Sequence, residues 1–464
     1  MNGGINLNSV KKKIVLVIII LLVIGIYPIY KIVSSDKASA AVTNKKNIQV
    51  SSINFDKTTY SLSIGNTYAL NEIILPSNAT NKAVTWSSSS PNIVKVDYDG
   101  VITALQKGTA KITATTDDGD KTAVCTVTVN DRDVNDTVIT FKDKNLEQNI
   151  RYNIHKPTGD LYKSDVKNIT NLSASYQDIK DISGIENLIN LQVLNLSRNQ
   201  IKDINAIGNL TKLETIYLEN NQISDISPLK GLANLQILGL KKNRINDINS
   251  LKGLSNLKTL ALNFNEVSDI NVLKELSNLY SVDLQSNKIS DISSLKDLKN
   301  LQYLYLESNK IKDISILKNL TNLQDISLES NEIDDISSIN NLTKLNSLIL
   351  SNNQISDISA LSQLTNLQFK LDLEGNNITD VKPLKGLVKL QNLVLNSNKL
   401  SNLSGLDSLT NLQILELKNN QISDINPLKK MSRLQYLFLQ GNKISVDNQQ
   451  ALKKALLQLK NIYF

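Results

Sequence analysis

Few side chains in this chain could carry covalent chemistry. His155 is the only histidine and Cys125 the only cysteine. His155 sits beside Lys156-Pro157 in an expected loop, and no Ser-His-Asp or Cys-His set can be built around a lone histidine. There is no His-rich metal spacing and no Gly-rich phosphate loop, so neither a metal nor a cofactor is expected. Cys125 alternates with Ala123, Val127 and Val129 on one side of an expected strand, with nothing basic beside it to lower its pKa. It reads as a small core hydrophobe. The carboxylates remain. Paired carboxylates could formally hydrolyse a glycoside, but the sequence offers them no apolar pocket to raise one pKa. The reading is therefore a binding protein and not an enzyme, with a carboxylate-dependent glycoside hydrolase as a remote alternative.

The element that places those carboxylates is a repeat. Asparagines recur every 22 residues from Asn199 through Asn221, Asn243, Asn265, Asn287, Asn309 and Asn331 to Asn353. After a one-residue insertion near Phe369 they resume at Asn376, Asn398, Asn420 and Asn442. Around each runs Leu-x-Leu-x-x-Asn-x-Ile, usually followed by Asp-Ile, as in Leu306 to Ile314. A fixed 22-residue period of this kind is a leucine-rich repeat solenoid. Each coil is expected to give one short strand to a continuous parallel sheet on the concave face, with short 3-10 or helical turns on the convex face. The asparagine amide is expected to donate to and accept from buried loop backbone. Pro228, Pro383 and Pro427 share one register on the convex side, where Ser227 and Asn426 would be N-caps; Ser293, Ser315 and Ser359 keep the cap without proline.

Alternation along each strand then points positions six, four and two before each asparagine out of the concave face. Those positions hold Tyr217, Glu219, Asp283, Tyr303, Tyr305, Glu307, Asp325, Glu329, Asp372, Glu374, Glu416, Tyr436 and Phe438. Lys241, Lys370 and Lys418 occupy the same positions, leaving the face at about −5 in a chain whose net charge is +7. Over roughly 55 Å of stacked strands, tyrosines among carboxylates make an anchor set for a basic protein or peptide. Tyr303, Tyr305 and Glu307 with Asp283 and Asp325 form the best single patch. A cell-surface or cell-wall glycan is the alternative partner. The lysines outside the N-terminus are scattered singly, so no nucleic-acid footprint is expected.

Before the repeats come three further segments. Lys11 to Lys13 precede the apolar run Ile14 to Tyr30, and Ala38-Ser39-Ala40 offers a small-residue cleavage site. Residues 1–40 thus read as a signal peptide or an N-terminal membrane anchor, both of which place the remainder outside the membrane. Residues 47–130 hold short period-2 runs separated by turn signals, which read as a β-sandwich. Residues 137–170, with Leu146, Ile150 and Ile154 at helical spacing and Ser164-Asp165 before Val166 and Ile169, read as a helical N-terminal cap. The repeats span 171–446, and 447–464 reads as a C-terminal cap in which Asp447 would cap a helix carrying Leu452, Leu456 and Leu459. The whole is a β-rich multidomain chain.

Two resemblances follow from these residues. Val84-Thr85-Trp86-Ser87-Ser88-Ser89, Val94-Lys95-Val96-Asp97, Gly100-Val101-Ile102-Thr103-Ala104 and Gly108 to Ala114 resemble the bacterial Ig-like domain, group 2. The resemblance implies that Trp86 is a core residue and that the domain acts as a spacer or weak adhesive unit. The repeats with their preceding cap and Asp-Ile signature resemble the internalin-like surface proteins of Gram-positive bacteria, which implies extracellular recognition through the concave sheet, whether at the cell surface or after secretion. Two departures qualify it. The Ig-like unit here precedes the cap, and no sortase-type Leu-Pro-x-Thr-Gly signal ends the chain, so neither receptor identity nor C-terminal wall attachment carries over.

Overall fold

The structure is a computed structural model that describes residues 47–464 apart from Gly119. The N-terminal segment 1–40 lies outside the described residues. No described helix is long and apolar enough to cross a membrane. The chain divides into two compact units, one ending at Leu191 and one beginning at Gln192.

The first unit opens with a β-sandwich. Alternating apolar residues build a four-stranded sheet in the order Thr59–Ser63, Thr122–Asn130, Gly108–Thr116, Val84–Ser88. Thr67–Ala69, Val101–Ala104 and Val94–Val96 form a second sheet, and Ser52–Phe55 pairs antiparallel with Glu72–Leu75. Ile102, Ile112, Cys125 and Val127 from the two larger sheets are fully enclosed. Burial pushes the Cys125 thiol up to about 11, which keeps it inert. Trp86 packs on this core and stacks on Phe55 with ring centroids 5.8 Å apart. The sequence reading did not single out the strands Ser52–Phe55, Thr67–Ala69 and Glu72–Leu75.

The cap follows in the same unit. Its helix Lys144–Asn153 buries Leu146 and Ile150, while Ile154 ends the helix and is only half-buried. Asp143 caps it, accepting from the backbone N–H groups of Asn145 and Leu146 at 2.9 and 3.3 Å. Ser164 and Asp165 are not the cap of the second helix but lie inside it, in Lys163–Val166. The Asp165 carboxylate reaches back to the Tyr162 N–H at 2.9 Å, which is the returning half of a capping box.

In the second unit each coil gives one three-residue strand. Successive strands from Val193–Asn195 to Asn461–Tyr463 pair in parallel, in chain order. The flanking leucines, such as Leu304 and Leu306, are fully buried. Asn309 shows what the repeat asparagine does. Its Nδ2 donates to the carbonyls of Leu306 and Leu284, both at 3.0 Å, and its Oδ1 accepts from Ile289 N at 3.0 Å. One side chain thus satisfies three buried backbone groups in two coils. The residue before it is left-handed in coil after coil, from Arg198 to Asn419 with φ between 52° and 59°, and glycine at 375 and 441. This twist sends the chain out of the strand. The insertion at Phe369 stays outside the core, and Asn376 still reaches the Leu350 carbonyl at 3.0 Å.

On the convex side the cap differs from the expected one. Ser227 begins its 3-10 turn, and its N–H is capped by Asp225 Oδ1 at 2.8 Å. Ser293, Ser315, Ser359 and Asn426 are held in the same way by Asp291, Asp313, Asp357 and Asp424. The Asp of the Asp-Ile signature is therefore the capping residue, and Asn402 serves equally in its coil, accepting from Ser404 N at 2.8 Å. The lysines do not scatter here: Lys230, Lys252, Lys274, Lys296 and Lys318 share one register and are all exposed. At the C-terminus Ser445, not Asp447, caps the helix Val446–Ala455. Leu452 and Leu456 are buried there, Leu459 is half-buried, and Asn461–Tyr463 adds a last strand.

Candidate functional site

Strand register sets the neighbours on the concave sheet. Asp283, Tyr305 and Ser327 stand side by side on three successive strands, and so do Ser281, Tyr303 and Asp325. Strands lie about 4.8 Å apart, so same-face side chains pack against one another. None of the thirteen residues read from the sequence is fully exposed: Asp283 and Asp372 are buried, and the others are half-buried. Tyr303 also packs on Tyr280, with centroids 5.3 Å apart.

This crowding changes the electrostatics. Burial pushes the Asp283 carboxyl up to about 7, and Glu307 adds to the shift. Burial raises Asp325 to about 6. It raises Glu307 as well, with Glu329 contributing, and Glu219. The expectation that these carboxylates lack surroundings to raise one pKa is thus corrected. Flanking side chains 22 residues away supply the low-dielectric walls, and counting charges along one strand does not show them. At neutral pH the face carries less negative charge than −5.

The outer carboxylates have partners. Lys370 meets Asp372 at 3.0 Å and Lys418 meets Glu416 at 3.4 Å. Asn396 Nδ2 donates to Glu374 at 3.2 Å and to Glu416 at 2.9 Å. Glu219 accepts from the Ser197 hydroxyl and leans, with Tyr217, over Gly239, where a Cβ would collide with it. Phe438 stacks on Tyr463 at 5.0 Å, and Lys418 and Lys460 lie over the rings of Phe438 and Tyr436. By contrast Asp283, Glu307, Asp325 and Glu329 form no ion pair among the described residues. The structure therefore brings Asp283, Tyr303, Tyr305, Glu307, Asp325 and Glu329 together in one central patch. Tyr217 with Glu219, and the group from Asp372 to Phe438, lie in other coils.

Sequence reasoning missed two members of the patch. Tyr280 stands one residue outside the alternation, at a position where most coils carry glutamine; that aromatic substitution was the available signal. Ser327 was passed over as small and neutral. It is 1% exposed, and its hydroxyl lies against the Glu307 carboxylate without a hydrogen bond of good geometry. A polar cleft of about 250 Å³ lined by Glu214, Gln236, Lys258 and two asparagines opens just ahead of the early strands, away from this patch. No group of three or more His, Cys, Asp or Glu among the described residues could hold a metal ion.

Known proteins agree with this architecture. The bacterial Ig-like domain (group 2) model matches residues 49–127. The leucine-rich repeat (two copies) model matches seven spans between residues 167 and 454, which together take in more than half of the chain. An internalin from Listeria monocytogenes is 34% identical over 66% of this chain and 96% of its own, with a TM-score of 0.58. The leucine-rich repeat ectodomain of a membrane receptor kinase from Arabidopsis thaliana shares the fold, at 21% identity and TM-score 0.53 over 64% of this chain and 41% of its own. An uncharacterized protein of Clostridium acetobutylicum is 41% identical over 87 residues, 18% of this chain. The chain spans only 9% and 19% of the length of two such clostridial relatives. Glycosidases of Bifidobacterium match in the Ig-like part alone, and modules of both kinds are typically binding units without catalysis.

Proposed function

We propose that this chain, which belongs to the leucine-rich repeat family as an internalin-like protein with a bacterial Ig-like domain ahead of its repeats, captures a protein or peptide on its concave sheet. One observation carries the reading. In the central coils, tyrosines stand among four carboxylates that form no ion pair among the described residues, with Lys241 acting on Asp283 alone, whereas Asp372 and Glu416 are paired with lysines. A face held open in that way suits a basic partner. The rings of Tyr303 and Tyr305 supply apolar area at low entropic cost.

The basic segment Lys11 to Lys13 ahead of the apolar run 14–30, together with the internalin-like architecture, supports display outside the cell, either released or held by the N-terminus. The Ig-like domain then carries the repeats away from the membrane. The receptor kinase ectodomain was solved in complex with a protein named Casparian strip integrity factor 2, and capture of a protein by the same fold is consistent with the reading.

The test is a pull-down of host and bacterial surface extracts with purified protein. The double variant Tyr303→Ala, Tyr305→Ala is expected to lose the captured partner while its thermal unfolding barely moves. Undiminished capture by that folded variant would place the site elsewhere. Raising the salt separates partner classes: a basic protein is released steeply, and a neutral glycan hardly responds.

A further inference from the structure

The central patch has a floor as well as walls. Ser327 lies between Tyr305 on one neighbouring strand and Ile349 on the other. Asp325 precedes it by two residues on the same face, Glu329 follows by two, and Glu307 is the counterpart of Glu329 one coil earlier. The Ser327 hydroxyl and Glu307 Oε2 are both buried and lie against each other, and neither is held in a hydrogen bond of good geometry. Unused capacity of this kind is rare in a folded interior. Here the two adjoin Asp325 and Glu329, and none of these carboxylates is ion-paired among the described residues.

We propose that Ser327, Glu307, Asp325 and Glu329 form the seat for one cationic side chain of the partner, an arginine or lysine lying along the Tyr305 ring, and that acid releases it. This rests on the concave face being the binding surface and names the chemistry recognised there. A guanidinium carries five donors and an ammonium three, enough to occupy the Ser327 and Glu307 oxygens and to reach Asp325 or Glu329. The Tyr305 ring face adds a cation–π contact.

The acid release follows from the same surroundings. The titratable groups facing the seat are Asp283 from the preceding coils, on which Lys241 acts, Tyr303 and Tyr305 beside it, and Glu329. The following strand offers Ser347, Ile349 and Ser351, none of them charged, and the next acid, Asp372, is held by Lys370. Burial holds Asp325 near 6 and raises Glu307, against the contact with Ser327. A bound cation favours the ionised forms, so binding expels protons, and protons by linkage expel the cation.

The experiment uses the whole protein and a fluorescent tetra-arginine peptide, with tetra-glutamate as the control. Tetra-arginine is expected to bind at pH 8 and at least tenfold more weakly at pH 5.5. Calorimetry in two buffers of different ionisation enthalpy should show proton release on binding near pH 6.5. The near-isosteric double variant Asp325→Asn, Glu329→Gln is expected to bind weakly at both pH values, and Asp297→Asn, at an exposed acid beside the convex turn Ser293–Leu295, to behave like the parent. An unchanged pH dependence in the double variant, or equal loss in Asp297→Asn, overturns the seat. So does surface-partner capture that survives Asp325→Asn, Glu329→Gln at both pH values, although the concave reading then stands if the tyrosine double variant still abolishes capture. Capture that survives the tyrosine variant overturns that reading itself.

Discussion

Lys156 Nζ donates to Asp165 Oδ2 at 2.8 Å, with the two side chains only 3% and 7% exposed. Asn66, from the sandwich, completes the arrangement: its Oδ1 accepts from Lys156 Nζ at 2.9 Å and its Nδ2 donates to Asp165 Oδ1 at 2.8 Å. Arg132 donates to the same Asn66 oxygen, pairs with Asp136 at 3.3 Å and lies 3.5 Å over the Tyr162 ring. The Ig-like sandwich is therefore bolted to the helical cap through a buried polar cluster.

That cluster gives the first expectation. Burial lowers the Lys156 pKa, and Asp165 is what opposes the shift. Asp165→Leu strands a buried ammonium and is expected to cost about 3–5 kcal/mol. Lys156→Met combined with Asp165→Leu should recover most of the loss, because no charge is then left unpaired. Denaturant melts of the single and double variants decide it; a double variant as unstable as the single would show that the pair itself is not the source of the loss.

The asparagine ladder gives the second. Asn309→Ala leaves the carbonyls of Leu284 and Leu306 and the N–H of Ile289 without partners inside the solenoid. At about 1–3 kcal/mol for each buried orphan, a loss of roughly 4 kcal/mol is expected. Asn309→Asp should fare little better, since an ionised carboxylate cannot donate to the two carbonyls. The urea midpoint of each variant is the measurement.

How much of this was legible in the sequence depends on how far apart the deciding residues lie. Leu304, Leu306 and Asn309 declare their roles within one coil, because the strand alternation and the turn are local. The outward placing of Tyr303, Tyr305 and Glu307 was legible for the same reason. Their burial was not, since the walls around Asp283 come from Tyr305 and Glu307, more than twenty residues on. A second asparagine ladder was equally hidden: Asn256, Asn278 and Asn300 donate to the carbonyls of Ala233, Ser255 and Ser277 at 2.8, 2.9 and 3.0 Å. Its 22-residue period stands in the sequence, but the dominant ladder drew the reading. Ser445 and Asp143 were missed as caps because a more acidic or more central neighbour competed for the role.

The desolvated face has a consequence for stability against pH. The Asp283 carboxyl titrates near 7 in the folded protein against an ordinary value of 3.8, so the folded state holds the proton more tightly than the unfolded chain. The sign follows: the group costs least below about pH 4, its cost grows as pH rises from about 4 to 7, and it levels off above that. Asp283→Asn keeps the acceptor for Gln285 N, now at 3.1 Å, and cannot ionise. It is expected to stabilise the protein by about 2 kcal/mol or more at pH 8 and to make no difference at pH 4. Thermal midpoints of the pair at the two pH values test this, and equal midpoints at pH 8 would remove burial of the charge as a cost.

Trp86 allows the two units to be followed separately, because it is the only tryptophan in the chain and it belongs to the sandwich core. Its emission reports that domain, while far-ultraviolet dichroism is dominated by the much longer repeat array. Gly100 has φ +76°, and a Cβ built on it would press into the Trp86 indole. Gly100→Ala therefore combines left-handed strain with overpacking, about 3 kcal/mol together. The tryptophan transition of this variant is expected to move to lower urea while the dichroism transition holds its midpoint. Asn309→Ala should do the reverse, moving the dichroism transition and leaving the emission midpoint in place. If both signals moved together in both variants, the sandwich and the repeats would unfold as one cooperative body, and the buried Lys156–Asp165–Asn66 cluster would be coupling more of the chain than the sandwich and cap it directly joins.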